Sequence, residues 1–183
     1  MPEPDEAGQV ETVDVVVIGA GFVGLAAGAA LAASPASHGK VRILEKGDSV
    51  GHFWLGGHEQ LSLHSPYHKL PHDGGLSREY PMFKSKHEVR EYLSRYAEAH
   101  GLQQSLRLGR GVTALEHRAE AAHPWRVQTN GETYLARRVV VATGLNREPH
   151  VPRFEGVDLY RGEVWRGHIE PNTHEVGRAA STR

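Results

Sequence analysis

One stretch near the N-terminus restricts the fold more than any other. Val13 to Ile18 is a β-branched run with Asp14 as its only polar member. Such a run reads as a strand buried on both faces, as in a parallel sheet. Gly19, Gly21 and Gly24 follow in the pattern G-x-G-x-x-G, and Leu25 to Ala33, rich in Ala and Leu, reads as a helix lying close against that strand. Each glycine answers a different demand. Gly19 permits the tight strand-to-helix turn, Gly21 lets a ligand approach bare backbone, and Gly24 lets the helix sit against the strand. The N–H groups at the start of the helix are left facing outward, and a diphosphate suits them.

A glycine pattern alone is weak, but its surroundings narrow it. A second strand, Val41 to Leu44, ends in Glu45. An acidic residue about twenty positions beyond the glycines is where the hydroxyl pair of a ribose is held. A carboxylate there also repels a 2′-phosphate, so a nucleotide with free ribose hydroxyls is expected at this site. The competing reading is a purely structural glycine turn in some other α/β protein.

The bulk numbers exclude several classes. With 183 residues, 39% hydrophobic and 23% charged, the chain has the make-up of a soluble globular domain. A net charge of −1 gives no electrostatic case for nucleic acid or for an anionic membrane surface. The chain has no cysteine, which removes disulfides, iron–sulfur ligation and thiol chemistry. Met1 to Gln9 is acidic and contains proline, unlike a secretory signal. The apolar stretch from Val13 to Leu31 is broken by glycines in a nucleotide-binding pattern, so no membrane span is expected. The expected location is the cytoplasm.

Further along, Ser34 to Gly39 reads as a loop, and Leu61 to Leu63 as a short strand. His64 to Pro81 reads as irregular, because its prolines and glycines forbid long regular structure. Val89, Tyr92, Leu93, Tyr96 and Ala97 recur at helical spacing, so Ser85 to His100 is predicted as a helix closed by Gly101. Ser85 with Glu88 three positions later fits a capping box. Tyr92 and Tyr96 are expected in the core. After this the period changes. Leu106–Leu108, Gly111–Glu116, Trp125–Thr129 and Thr133–Leu135 read as short strands, with Asn130-Gly131 as a hairpin turn. Trp125 is expected in the sheet core, and Arg137-Arg138 as a solvated entry to a further apolar strand from Arg138 to Ala142. Arg166 to Arg183 shows no periodicity.

This order resembles the N-terminal FAD-binding part of the flavin-containing and Baeyer–Villiger monooxygenases. The matching pieces are Gly19-Ala-Gly-Phe-Val-Gly24, Leu44-Glu45-Lys46, Gly51-His-Phe-Trp54, Leu63-His64-Ser65-Pro66, and Ala142-Thr143-Gly144 followed by Pro149 and Pro152. The resemblance implies an α/β fold: a Rossmann-like FAD-binding parallel sheet with helices, and a small antiparallel β-meander beside it. It implies an FAD-binding domain over 13–165 with an antiparallel insert at about 106–136, between residues 1–12, which read by themselves as a disordered arm, and residues 166–183, which read as an irregular tail.

It also implies roles. Gly19, Gly21, Phe22, Val23 and Gly24 would hold the FAD pyrophosphate. Glu45 would bind the adenosine ribose, with Lys46 flanking it. Trp54 would line the flavin, and His64 would neighbour it. Val112 would meet the adenine through its backbone, and Ala142, Thr143 and Gly144 would pass near the cofactor. The implied chemistry is reduction of FAD by NADPH, followed by O₂-dependent oxygenation of a soft nucleophile or a carbonyl. No catalytic residue is assigned.

The chain departs from the family pattern in places. His52 stands where many relatives have a second glycine, and Arg166 where the family has a histidine after Tyr160 and Gly162. No second G-x-G-x-x-G follows, so the NADPH domain is expected to be absent, as is the closing FAD segment. The leading expectation is a truncated FAD-binding oxidoreductase of this type. The alternatives are a non-catalytic dinucleotide-binding module, completed by a partner chain or a homo-oligomer, and an inactive remnant. His64, His68 and His72 are spaced like ligands on a helix, but Pro66 and Pro71 break any helix there, so no metal site is expected.

Overall fold

The computed structural model describes residues 9–34, 40–56, 59–66, 69–70, 82–145, 152–162, 165–166 and 177–178. Residues 1–8 of the expected arm over 1–12, residues 35–39 of the expected loop over 34–39, His68, His72, Pro149 and most of the tail lie outside them.

The framework is a six-stranded mixed sheet. In chain order its strands are β1 (Val10–Ile18), β2 (Val41–Leu44), β3 (Leu106–Arg107), β4 (Val112–His117), β5 (Trp125–Thr129) and β6 (Thr133–Val141). In space the order is β3-β2-β1-β6-β5-β4. The first four strands of that order run parallel, and β6-β5-β4 form an antiparallel meander. Two helices, α1 (Phe22–Ala33) and α2 (Lys86–Ala99), pack on one face. This is the α/β architecture expected, a parallel sheet with helices and a small antiparallel meander beside it. The meander continues the parallel sheet at one edge. Strand β6 belongs to both, pairing with β1 along its length and with β5 at its start.

The run read as two strands, 133–135 and 138–142, is therefore one strand of nine residues. The two arginines that interrupt its apolar pattern are exposed while the ladder continues through them, Ala136 opposite Val13 and Arg138 opposite Val15. Leu106–Arg107 also departs from expectation, lying on the parallel edge beside β2 rather than in the meander. Leu61–Leu63 forms no strand; Ser62 makes a single antiparallel bridge to Ser85.

β1 is buried on both faces, as its composition requires: Val13, Val15, Val16 and Val17 are at most 3% exposed. It starts at Val10, earlier than the arm reading allowed, because Glu11 is tied across the sheet to Arg42 and Lys40. The N–H groups of Asp14 and Val15 both donate to Lys40 O, a local break in alternation. Val13 and Val16 consequently join one core with Tyr134 and Val127, while Val15 and Val17 join the other, under the helices.

The capping box of α2 is formed: Glu88 N donates to Ser85 Oγ, and Ser85 N donates to Glu88 Oε2 at 2.8 Å. Val89, Tyr92, Leu93, Tyr96 and Ala97 are the buried stripe, and Gly101 ends the helix with φ of 63°. Trp125 is half-buried, its ring 4.6 Å from that of His117.

Candidate functional site

The site lies where β1 ends and α1 begins. Gly19 has φ of +107°, and a Cβ built there would lie 2.4 Å from Ala142 O. Both facts demand glycine. A Cβ on Gly24 would lie 1.8 Å from Gly19 O, so the helix can start only if position 24 is bare. Gly21 is different: a Cβ there would meet nothing within 4 Å. Nothing among the described residues requires glycine at 21, and among them the space above its backbone is open. As N-cap of α1, Gly21 offers no side chain to the first-turn N–H groups, which by helix geometry point outward with the positive end of the dipole.

Glu45 closes the other side. Its side chain is buried, and its two oxygens hold two backbone donors: Oε2 accepts from Ala20 N at 2.9 Å and Oε1 from Gly47 N at 2.9 Å. An ionised carboxylate has about four acceptor positions, so each oxygen keeps one for a further donor. Ala20 is shared, because its carbonyl also accepts from Gly51 N at 3.0 Å. Gly51 (φ 65°) opens the turn His52–Leu55 that carries Trp54, whose half-buried ring meets Phe22 edge-on with centroids 6.3 Å apart. His52, the departure from the family's glycine, lays its ring over Gly47 and reaches Asp48 Oδ1 at 3.2 Å.

The third wall is the segment from Arg107 to Val112. Glu45 N donates to Arg107 O (3.0 Å), Arg110 N to Glu45 O (2.7 Å) and Gly109 N to Gly47 O (2.7 Å), so this segment is stitched to the loop after β2. Lys46 is exposed, and a Cβ on Gly111 would sit 3.5 Å from Lys46 Cβ. Gly111 turns its N–H to Asn130 Oδ1 and its carbonyl to Asn130 N. By strand alternation the N–H and C=O of Val112 turn the other way, to the open edge of β4.

The structure thus brings together Gly19, Gly21, Phe22, Gly24, Glu45, Trp54, Ala142 and, through Arg107–Gly111, Lys46 and Val112. Val23 is on the first turn of α1, 67% exposed. Thr143 and Gly144 (φ +86°) are exposed just past Ala142. His64 is exposed, and among the described residues it forms no hydrogen bond to the glycine turn. Arg110 and Glu132 carry no signal in the sequence, and Asn130 reads there only as a hairpin-turn residue, with nothing to mark its bonds to Gly109 and Gly111. Arg110 and Glu132 are 22 positions apart and meet only once the meander is folded. Among the described residues no group of three or more His, Asp or Glu could hold a metal ion, and no helix is long and apolar enough to cross a membrane.

A parallel sheet, a glycine turn into α1 and a meander sharing a strand with that sheet make up the FAD-binding domain of flavin monooxygenases. The chain belongs to the family described as pyridine nucleotide-disulphide oxidoreductase, whose profile matches residues 16–166. It is 39% identical over 154 residues to indole-3-pyruvate monooxygenase YUCCA1 of Oryza sativa subsp. japonica, covering 80% of this chain and 36% of that protein. It is 32% identical over 157 residues to a Baeyer-Villiger monooxygenase of Streptomyces coelicolor, covering 85% and 30%. Among solved structures, a flavin monooxygenase from Stenotrophomonas maltophilia superposes with a TM-score of 0.68 at 29% identity, over 83% of this chain and 44% of that one. The chain spans about a third of the length of these curated relatives. The disulphide in the family's description has no counterpart here, since the chain has no cysteine.

Proposed function

We propose that this chain binds FAD and serves as the FAD-binding portion of an NADPH-dependent flavin monooxygenase. The observation that supports it most is the Glu45 carboxylate, bonded to Ala20 N inside the glycine turn, beside the bare backbone of Gly21. The residues fit the group. The first turn of α1 would take the diphosphate, and the unused acceptor positions of Glu45 the ribose hydroxyls. Lys46 would flank the ribose, and the outward edge of Val112, with one donor and one acceptor, would take the adenine. Phe22, Trp54 and the Ala142–Gly144 turn would border the path toward the flavin, with His64 at its margin. When bound, the flavin supplies the redox chemistry, passing electrons from a nicotinamide to O₂. The protein's share is orientation, a fixed negative charge on the sugar and a positive helix end on the diphosphate. The names of the relatives support a monooxygenase reaction for the whole protein, a cyclohexanone monooxygenase from Rhodococcus sp. solved with NADP+ bound, 28% identical to this chain, supports NADPH as reductant, and a cytoplasmic setting suits such a reaction.

The test is direct. Protein purified from cells should be yellow, or become so with added FAD, and release FAD on denaturation. A colourless protein that takes up no FAD contradicts the reading. Bleaching by NADPH in this chain alone indicates that it reduces its own flavin; a stable yellow protein that NADPH does not bleach indicates a binding module that needs a partner chain.

A further inference from the structure

We propose that the turn between β5 and β6, with Asn130 and Glu132 as its working residues, is a positioning element for the adenine end of the nucleotide. The proposal rests on the FAD reading above. The turn is closed by Thr129, whose hydroxyl donates to Glu132 O at 2.7 Å and accepts from Gly131 N and Glu132 N. The side chains of Asn130 and Glu132 are therefore not needed for the turn. Both reach instead to the segment 109–111.

The Asn130 amide grips that segment at two points, Oδ1 accepting from Gly111 N at 3.1 Å and Nδ2 donating to Gly109 O at 3.2 Å. Between those points Arg110 sends its guanidinium back to Glu132 in a two-point pair, Nε to Oε2 at 3.1 Å and Nη2 to Oε1 at 3.2 Å. Such a fork fixes orientation as well as distance. Glu132 is held in turn by the hydroxyl of the fully buried Tyr134 at 2.6 Å. Gly131 has a reason of its own: a Cβ there would come within 3.2 Å of Arg110 Nε, so a bare position lets the guanidinium lie across the turn.

The far side of the same segment is bonded to Glu45 and Gly47 through Arg110 N and Gly109 N. The clamp thus sets two things at once: where the wall beside the Glu45 carboxylate stands, and which way Val112 presents its outward N–H and C=O. Because Arg110 and Asn130 touch the protein and not the nucleotide in this arrangement, they are positioning residues.

The experiment compares wild type with Arg110→Met, Asn130→Ala and Arg110→Lys by titrating FAD and, separately, ADP, with melting temperatures and the visible spectrum of the FAD-saturated proteins recorded alongside. The expected result is a tenfold or greater loss of affinity for both FAD and ADP in Arg110→Met and Asn130→Ala. The saturated flavin spectrum should be unchanged, the melting transition still cooperative and only modestly lowered, and affinity partly recovered in Arg110→Lys. Unchanged FAD and ADP affinities overturn the proposal. So does a loss of affinity that comes with a collapsed melting transition or an altered flavin spectrum, since that describes a general structural role. A wild-type protein that binds neither FAD nor ADP overturns the FAD reading itself, and the clamp's role with it.

Discussion

The carboxylate of Glu45 and the backbone N–H of Ala20 are 2.9 Å apart, although 25 residues of chain separate them. That bond joins the end of β2 to the glycine turn after β1. It means the acidic group is already fixed, in a buried place, before any ligand arrives. A charge-assisted bond of this kind is among the stronger ones available to a protein, and here it is doubled by the bond from Gly47 N.

Removing that carboxylate should cost stability as well as ligand. Glu45→Ala leaves the N–H groups of Ala20 and Gly47 without their acceptor, at about 1–3 kcal/mol for each buried donor. Glu45→Gln keeps one carbonyl oxygen and should cost about half as much. Urea unfolding of the three proteins in the absence of nucleotide checks this. A Glu45→Ala midpoint equal to that of wild type would mean the carboxylate is not tied to the turn.

The three glycines should separate cleanly under alanine substitution. Gly19→Ala forces a side chain into φ of +107° and against Ala142 O, and Gly24→Ala drives one into Gly19 O. Each should lower stability by about 2–3 kcal/mol or more. Gly21→Ala meets nothing and already has an extended backbone, φ −88° and ψ −166°. Its cost should stay within about 1 kcal/mol, the difference between Gly and Ala at an N-cap. Thermal unfolding of the three variants reads the order directly.

A pH dependence follows from Glu132. The Arg110 guanidinium, and after it the Tyr134 hydroxyl, hold its carboxyl below the ordinary glutamate value. A carboxyl with a depressed folded-state pKa stabilises the fold above its unfolded pKa, about 4.3, and that contribution is lost as pH falls through the folded value. Arg110→Met should therefore destabilise the protein at pH 7, with the gap to wild type narrowing toward pH 3. Glu11 acts in the same direction at the other end of β1. Burial raises its pKa, but the hydrogen bonds from Arg42 and Lys40 outweigh that and leave it lowered. Urea midpoints across this range measure both effects.

The capping box of α2 offers a test of the fold apart from the site. Ser85→Ala removes the acceptor for Glu88 N and should cost about 1 kcal/mol. Because α2 supplies Leu93, which packs against Gly51, a larger effect would show that the Trp54 turn loosens with the helix.

Much of this architecture was readable from local pattern. The strand into the glycine turn, the strand ending at Glu45 and the helix capped by Ser85 each carry a signal within a dozen residues, and each lies where that signal put it. What local pattern missed was set by distant partners. Val10 to Thr12 reads as the end of a disordered arm, yet Glu11 meets Arg42 across 31 positions and the strand begins at Val10. Arg137 and Arg138 looked like a break between two strands, because period alone cannot show that a ladder to β1 runs straight past two solvated side chains. At the site the same rule holds. The glycines and Glu45 announce themselves, whereas Arg110 and Glu132 are ordinary in sequence, Asn130 signals only a turn, and all three meet only when the meander is folded.

The central claim is that the bare backbone at Gly21 and the fixed carboxylate of Glu45 together hold a nucleotide. Fluorescence titration of FAD into wild type and Gly21→Ala tests it most directly, because that substitution leaves the fold standing. Wild type should bind saturably, and Gly21→Ala at least tenfold more weakly at a near-equal melting temperature. Equal affinity in the two proteins, or no binding in either, would contradict it.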